Sequence, residues 1–430
     1  MAASLPVSAQ AVESQPAVSS DRWTGYSALV LFTCIMAWAF DVFEMTILQL
    51  ATPLLIQEWQ LTPATIGNIT TAARWVGLIG ALSFPVLADL FGRRPMLITS
   101  VLGYSLLTGL TGLAQNWQQL LVATSVTRIP LSGEIPVGQV MVAETAPTRW
   151  RATALGGLVS GYPFGYMLAS LAALAVVPLA GWRALYFLGI VPALLIFLVR
   201  LGVKESPRFE RVTTATFREG MRQQLDLLAP ARTHLREVVI GTLLVFFYLF
   251  TWVGWSAWMP QFLANEKQLG FQTAATYLSI WMFAAIFAYW LCGYLCDRFG
   301  RRYVIPAFVM PAAVLLVVLG GQTDPTSLFI IGGVANFLIT GSFGAGMGYA
   351  AELFPTAIRG RGYGSAFFFG NLLSSTSPAI VGYIATAQSI AAALPLLAVS
   401  FFLIGPMFLF VAREMTGQEL TDFVGQERPA

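Results

Sequence analysis

Twelve stretches of this chain are apolar over the length needed to cross a bilayer core of about 30 Å. They lie at roughly 26–56, 62–87, 95–114, 117–143, 152–178, 182–203, 237–263, 273–296, 303–320, 327–350, 362–385 and 389–412. In lipid each backbone group must be satisfied within its own segment, so runs of this length fold as transmembrane helices. The composition agrees: 57% of the 430 residues are hydrophobic and 10% charged, with a mean hydropathy of +0.70. Such a chain is an all-α membrane protein, and an even number of spans puts both termini on one side.

The loops indicate which side. Of the 24 Lys and Arg residues, all but Arg74, Arg128, Arg183 and Lys267 fall in the tails, in the segment 204–236, or in loops such as "FGRRP", "TRWRA", "RFGRRY" and "IRGRG" on the same side. Basic loops stay cytoplasmic, so the cell (plasma or inner) membrane with cytoplasmic termini is the expected location. A net charge of +3 spread over such loops implies no nucleic-acid partner. The start of the chain has neither a basic region nor an apolar core, so 1–25 reads as a disordered cytoplasmic tail, and 413–430 as a second tail. The three cysteines, Cys34, Cys292 and Cys296, all lie in spans. They suggest packing rather than a disulfide framework, and no metal site is expected.

An internal repeat divides the chain. Asp89, Gly92, Arg93 and Arg94 recur as Asp297, Gly300, Arg301 and Arg302, each 208 residues later. Glu144, Pro147 and Arg151 recur at the same offset as Glu352, Pro355 and Arg359. An offset of 208 over six spans predicts two parallel six-helix halves, 26–203 and 237–412, joined by a cytoplasmic linker at 204–236. In that architecture a substrate site lies at midplane between the halves.

These motifs resemble those of the major facilitator superfamily, and the match runs along almost the whole chain. Asp-x-x-Gly-Arg-Arg after the second and eighth spans is similar to that superfamily's loop signature. "GWRALYF" (181–187), "ESPRF" (205–209), "WMPQFL" (258–263) and "REMTGQEL" (413–420) resemble the branch of sugar porters, aromatic-acid:proton symporters and sialate:proton symporters. "FDVFEM" resembles the Asp-Gly-x-Asp of aromatic-acid symporters, with Val42 for Gly and Glu44 for the second Asp. "RWVG" (74–77) is similar to the second-span Arg-Trp of sialate carriers. There are departures: Pro85 replaces a loop-signature glycine, and Thr124 stands where the fourth-span Arg belongs, with Arg128 one turn later.

The charged residues have two expected roles. Asp89, Gly92, Arg93, Arg94, Glu144, Arg151 and their counterparts Asp297, Gly300, Arg301, Arg302, Glu352 and Arg359 suit a conformational gate, since charge-assisted clusters can bias a closed state by about 1–3 kcal/mol. Asp41, Glu44, Arg74 and Arg128 reach the middle of their spans, where ionisable residues are costly and usually functional. Proton coupling needs a group that changes charge, and the only histidine, His234, lies in the linker. Asp41 and Glu44 are therefore the candidate proton site. Arg74 and Arg128 are candidates to hold a carboxylate, because Arg binds it bidentately. Trp252, Trp255, Tyr289 and Asn371 are the candidates from the second half. A permanent Asp41–Arg74 pair is the structural alternative.

The combined expectation is a proton-coupled symporter importing a small organic acid. It would work as a monomer in the lipid bilayer, with the proton gradient as energy source and no cofactor. An uncoupled facilitator or a proton antiporter of a neutral or cationic molecule is the alternative. No catalytic constellation is present in the spans, so an enzyme is not expected.

Overall fold

The computed structural model describes residues 23–145, 154, 157–190, 234–354 and 359–411. The tails, most of the 204–236 linker, Pro147, Arg151 and Pro355 lie outside them. Asp89, Arg93, Arg94, Glu144 and Arg359 are described by their backbones alone.

In the first half the helices are α1 (Gly25–Trp59), α2 (Pro63–Phe91), α3 (Arg93–Thr111), α4 (Trp117–Thr145), α5 (Gly161–Ala180) and the described part of α6, 183–190. The second half has α7 (Leu235–Gln261), α8 (Gly270–Phe299), α9 (Arg301–Gly320), α10 (Pro325–Glu352), α11 in two pieces (Arg359–Ser374 and Ser377–Ala387) and α12 (Ile390–Phe402). Every apolar run read from the sequence has a helix in it. The eleventh differs from a single span: it breaks at Ser375–Thr376, just before Pro378. Pro378 has no amide hydrogen to continue the ladder, and Ser375 and Thr376 turn their hydroxyls back onto the carbonyls of Asn371 and Leu373.

Pairing within the halves repeats. α2 packs on α4, α1 on α5 and α3 on α4, as α8 packs on α10, α7 on α11 and α9 on α10. Between halves, α2 lies against α11 and α5 against α8, exchanged by the same symmetry, while α1 meets α7 near the axis. The architecture is therefore two six-helix halves related by a pseudo-two-fold axis.

Gly92 (φ 96°, ψ 149°) and Gly300 (φ 85°, ψ 144°) both end one helix and start the next. That backbone region is open essentially to glycine alone, which is why the motif carries glycine in both copies. Small residues let helices approach closely elsewhere. A Cβ on Gly165 of α5 would sit 1.9 Å from the Ala39 carbonyl oxygen of α1, and one on Gly80 of α2 would sit 1.8 Å from that of Ile129. Gly341, Gly344 and Gly346 of "GSFGAGMG" (341–348) do the same against Ala288, Tyr289 and Tyr248. Cys292 and Cys296 are buried core residues.

The repeat extends to the end of the molecule opposite the basic loops. Gln60 (φ 50°) and Gln268 (φ 55°), 208 residues apart, share the left-handed conformation. Just before them, Glu58 accepts from the Trp182 indole (2.6 Å) and from Arg183 (2.8 Å). Its counterpart Glu266 accepts from the backbone N–H groups of Ile390 (2.6 Å) and Ala391 (2.8 Å), the positions 208 residues beyond Trp182 and Arg183. In the first half, then, a glutamate pins the end of α1 to the start of α6, and in the second a glutamate in the π-helical turn Phe262–Glu266 after α7 pins that turn to the start of α12. Gln57 and Asn265, also repeat partners, hydrogen-bond to each other at 3.1 Å.

Candidate functional site

α1 buries both of its acids. Asp41 is 0% exposed and Glu44 8%, and three residues apart on a helix they share one face. The Glu44 carboxyl lies over Gly189 of α6, where a Cβ would come within 2.5 Å of Oε1. Among the described residues neither of its oxygens has a hydrogen bond of ordinary geometry; the Thr108 hydroxyl and the Arg128 guanidinium are its polar neighbours. Glu44, Thr108, Thr124, Thr127, Arg128 and Tyr186 line a cavity of about 20 Å³, room for about one water.

Arg128 is buried beside these acids, in electrostatic reach of both Glu44 and Asp41. The acids thus face Arg128 on α4 rather than forming the Asp41–Arg74 pair considered from the sequence. Depth estimates put all four charges at similar heights; which helix faces which is decided by packing of α2 on α4 through Gly77 and Gly80.

Arg74 points the other way, across the junction of the halves. Its Nη2 donates to Asn371 Oδ1 (3.1 Å) and its Nε to Ser375 Oγ (3.4 Å), both on α11. Among the described residues Arg74 makes no ion pair, so its positive charge is held by neutral acceptors only. A guanidinium in that position favours an anion.

Rings gather beside it. Tyr162 of α5 lies in electrostatic reach of Arg74, and its ring is 4.4 Å from Trp252 of α7. Trp252 stacks on Phe343 of α10 at 5.2 Å with an interplanar angle of 21°. Tyr289 of α8 completes the group: its ring lies on Gly344, it is in electrostatic reach of Tyr162, and its buried hydroxyl has no hydrogen-bond partner among the described residues. The arrangement offers a cation at one side and flat apolar faces at the other, the chemistry of a ring-bearing or conjugated carboxylate.

Of the residues singled out in the sequence, Arg74, Asn371, Trp252 and Tyr289 converge here. Arg128 joins the acids instead, and Trp255 packs on Phe262 at 6.0 Å, toward the end of α7. Among the gate candidates, Arg301 pairs with Glu352, Arg302 donates through Nε and Nη2 to the Leu409 carbonyl, and Asp297 is exposed. Tyr162, Ser375 and Gly189 were missed from the sequence. Tyr162 had a signal, a ring between two glycines in "GYPFG"; Ser375 and Gly189 had none.

Comparison with known proteins identifies the family and the fold. Residues 29–305 match the family model described as Major Facilitator Superfamily. The chain is 30% identical over 390 residues to a probable 4-methylmuconolactone transporter of Cupriavidus pinatubonensis, covering 88% of this chain and 89% of that one. It is 27% identical to a cis,cis-muconate transport protein of Acinetobacter baylyi, over 79% of this chain and 82% of the relative. Its fold matches the crystal structure of a D-xylose-proton symporter with a TM-score of 0.72 at 17% identity, covering 91% and 99% of the two chains.

Proposed function

The chain belongs to the major facilitator superfamily and is a multi-pass membrane transporter, not an enzyme, and from that premise we propose that it imports a small organic acid together with a proton. The observation that carries this reading is Arg74, a cation whose acceptors among the described residues are neutral, beside the Tyr162–Trp252–Phe343 rings at the junction of the halves. An anion entering there supplies the opposite charge, and the bidentate ion pair, that the neutral Asn371 and Ser375 cannot supply. The relatives named for muconate and 4-methylmuconolactone support a carboxylate or its lactone as the substrate class.

Asp41 and Glu44 are the proton carriers in this reading. Each is a buried carboxyl in the interior of the first half, with Arg128 as the shared cation. Taking up a proton neutralises one acid and changes the charge around Arg128, which lies in electrostatic reach of Arg74. That through-space repulsion links the proton site to the anion site in this reading. The basic loops face the cytoplasm, and the proton gradient drives rocking of the two halves.

The test is the pH outside proteoliposomes on addition of 4-hydroxybenzoate, benzoate or cis,cis-muconate. Symport predicts alkalinisation accompanying uptake, loss of uptake in Arg74→Ala, and loss of proton movement with retained exchange in Asp41→Asn or Glu44→Gln. Uptake without proton movement, or uptake that survives Arg74→Ala, would overturn the reading.

A further inference from the structure

The contact between α2 and α11 is a row of hydrogen bonds along one stripe of α2. The Ala64 N–H donates to Thr386 Oγ1 (2.9 Å), and Asn68 Nδ2 to the Tyr383 hydroxyl (3.1 Å). Thr71 Oγ1 accepts from the Ala379 N–H (3.2 Å), and the Trp75 indole donates to the Leu372 carbonyl (3.2 Å). Residues 64, 68, 71 and 75 follow helical spacing. Gly67 and Gly382 bring the backbones together: their Cβ atoms would lie 2.5 Å from the Pro378 carbonyl and 2.7 Å from that of Pro63. The row starts at the end opposite the basic loops and runs inward, and Arg74 is among its innermost members.

Arg74 is engaged there in a particular way. Asn371 and Ser375 are one turn apart on α11 and take Nη2 and Nε, two N–H groups on one edge of the guanidinium. A bidentate carboxylate uses such an edge. The two side chains occupy the places of two carboxylate oxygens.

We propose that Asn371 and Ser375 are positioning residues that compete with the transported anion for Arg74, so that zipping α2 to α11 weakens the anion's hold and drives its release on the basic side. This rests on Arg74 as the anion anchor. With the halves parted at this end, Arg74 is free and binds the anion well. Closing delivers an amide oxygen and a hydroxyl, tethered at high local concentration, to the same N–H groups. Affinity therefore alternates with conformation, while the direction of net transport is set by the gradients.

The experiment measures uptake of radiolabelled 4-hydroxybenzoate and cis,cis-muconate by the full-length protein in proteoliposomes, and spin-label distances without any ligand. Asn371→Ala combined with Ser375→Ala removes the competitor, so KM and kcat fall together by about tenfold, the effect of one net hydrogen bond. Asn371→Asp supplies a charged competitor and raises KM by about tenfold or more. Ser375→Thr, which keeps a hydroxyl, behaves as wild type. A merely structural role would lower kcat in both position-371 variants without opposite movements of KM, and that pattern overturns the proposal.

Labels on Leu61→Cys and Gln388→Cys, at the outer ends of α2 and α11, report the zipper; the native cysteines are buried. The double alanine variant is expected to lengthen this distance, and an unchanged distribution overturns the proposal. Should the distance lengthen while wild type transports neither carboxylate, the anion reading fails, and the competition with it, leaving the row as a latch alone.

Discussion

Replacing Gly165 with alanine tests how closely the site depends on the seam between α1 and α5. The added Cβ would lie 1.9 Å from the Ala39 carbonyl oxygen, 2.7 Å from its carbon and 2.9 Å from its Cα. A tolerable carbon–oxygen contact is about 3.3 Å, so the helices must part by roughly 1.4 Å. All three obstructing atoms are backbone, so no rotamer change relieves them. Overpacking of this kind costs about 1–3 kcal/mol, against which alanine's better helix propensity returns up to about 1 kcal/mol. Subtracting the full propensity gain leaves a destabilisation of about 0–2 kcal/mol, toward the upper end because the obstruction is backbone. Gly348 of α10 is the control, because a Cβ there meets nothing within 4 Å, and only the propensity gain remains. Thermal unfolding in detergent should place Gly165→Ala below wild type and Gly348→Ala at or above it. Transport should fall in the first alone, since Ala39 precedes Asp41 by two residues and Gly165 follows Tyr162 by three. If Gly165→Ala unfolds no earlier than wild type, the seam is looser than described and the reasoning fails.

Further expectations concern the ends of the helices. Gly92→Ala and Gly300→Ala force alanine into nearly the same glycine-only conformation, so each should cost about 1–3 kcal/mol with shifts of similar size in thermal unfolding; a large loss in one and none in the other would refute the equivalence of the two turns. Glu266→Ala removes the acceptor for the first amides of α12 and should cost about 1–2 kcal/mol. Glu58→Gln keeps an acceptor for Trp182 and breaks a half-exposed ion pair with Arg183, worth about 0.2–1 kcal/mol; denaturation that ranks Glu58→Gln as the more damaging would contradict this. Cysteines at Gln57 and Asn265, bridged by a short bis-methanethiosulfonate that forms a disulfide with each thiol, should arrest uptake and regain it on reduction of those disulfides, whereas full uptake in the cross-linked protein would show that the halves need not part there.

The spans and the two halves were legible because hydropathy and a repeated motif are properties of the chain order itself. Gly92 and Gly300 show this best: their equivalence in sequence is matched by φ values of 96° and 85°. What was not legible is direction around the helix axes. Asp41, Arg74 and Arg128 were correctly placed in span interiors. That Arg128 faces the acids while Arg74 crosses to Asn371 depends on how α2 and α4 rotate about their shared glycine contact. The break in α11 had its signal in "SSTSP", yet an apolar count smooths over four hydroxyls. The equivalence of Glu58 and Glu266 was present in the sequence as Glu-x-Gln at the same offset of 208; what was not legible is that one binds side chains and the other backbone amides.

Gln57 and Asn265 are the same position in the two repeats, and they touch. A residue close to a two-fold axis meets its own counterpart, as in an isologous dimer. Two lysines or two glutamates there would repel, whereas a carboxamide carries donor and acceptor on one group and can bond its twin. Self-complementarity therefore limits the chemistry at this point: a substitution at either residue must suit the other copy as well, and the pair has to change together even though 208 residues of chain lie between them.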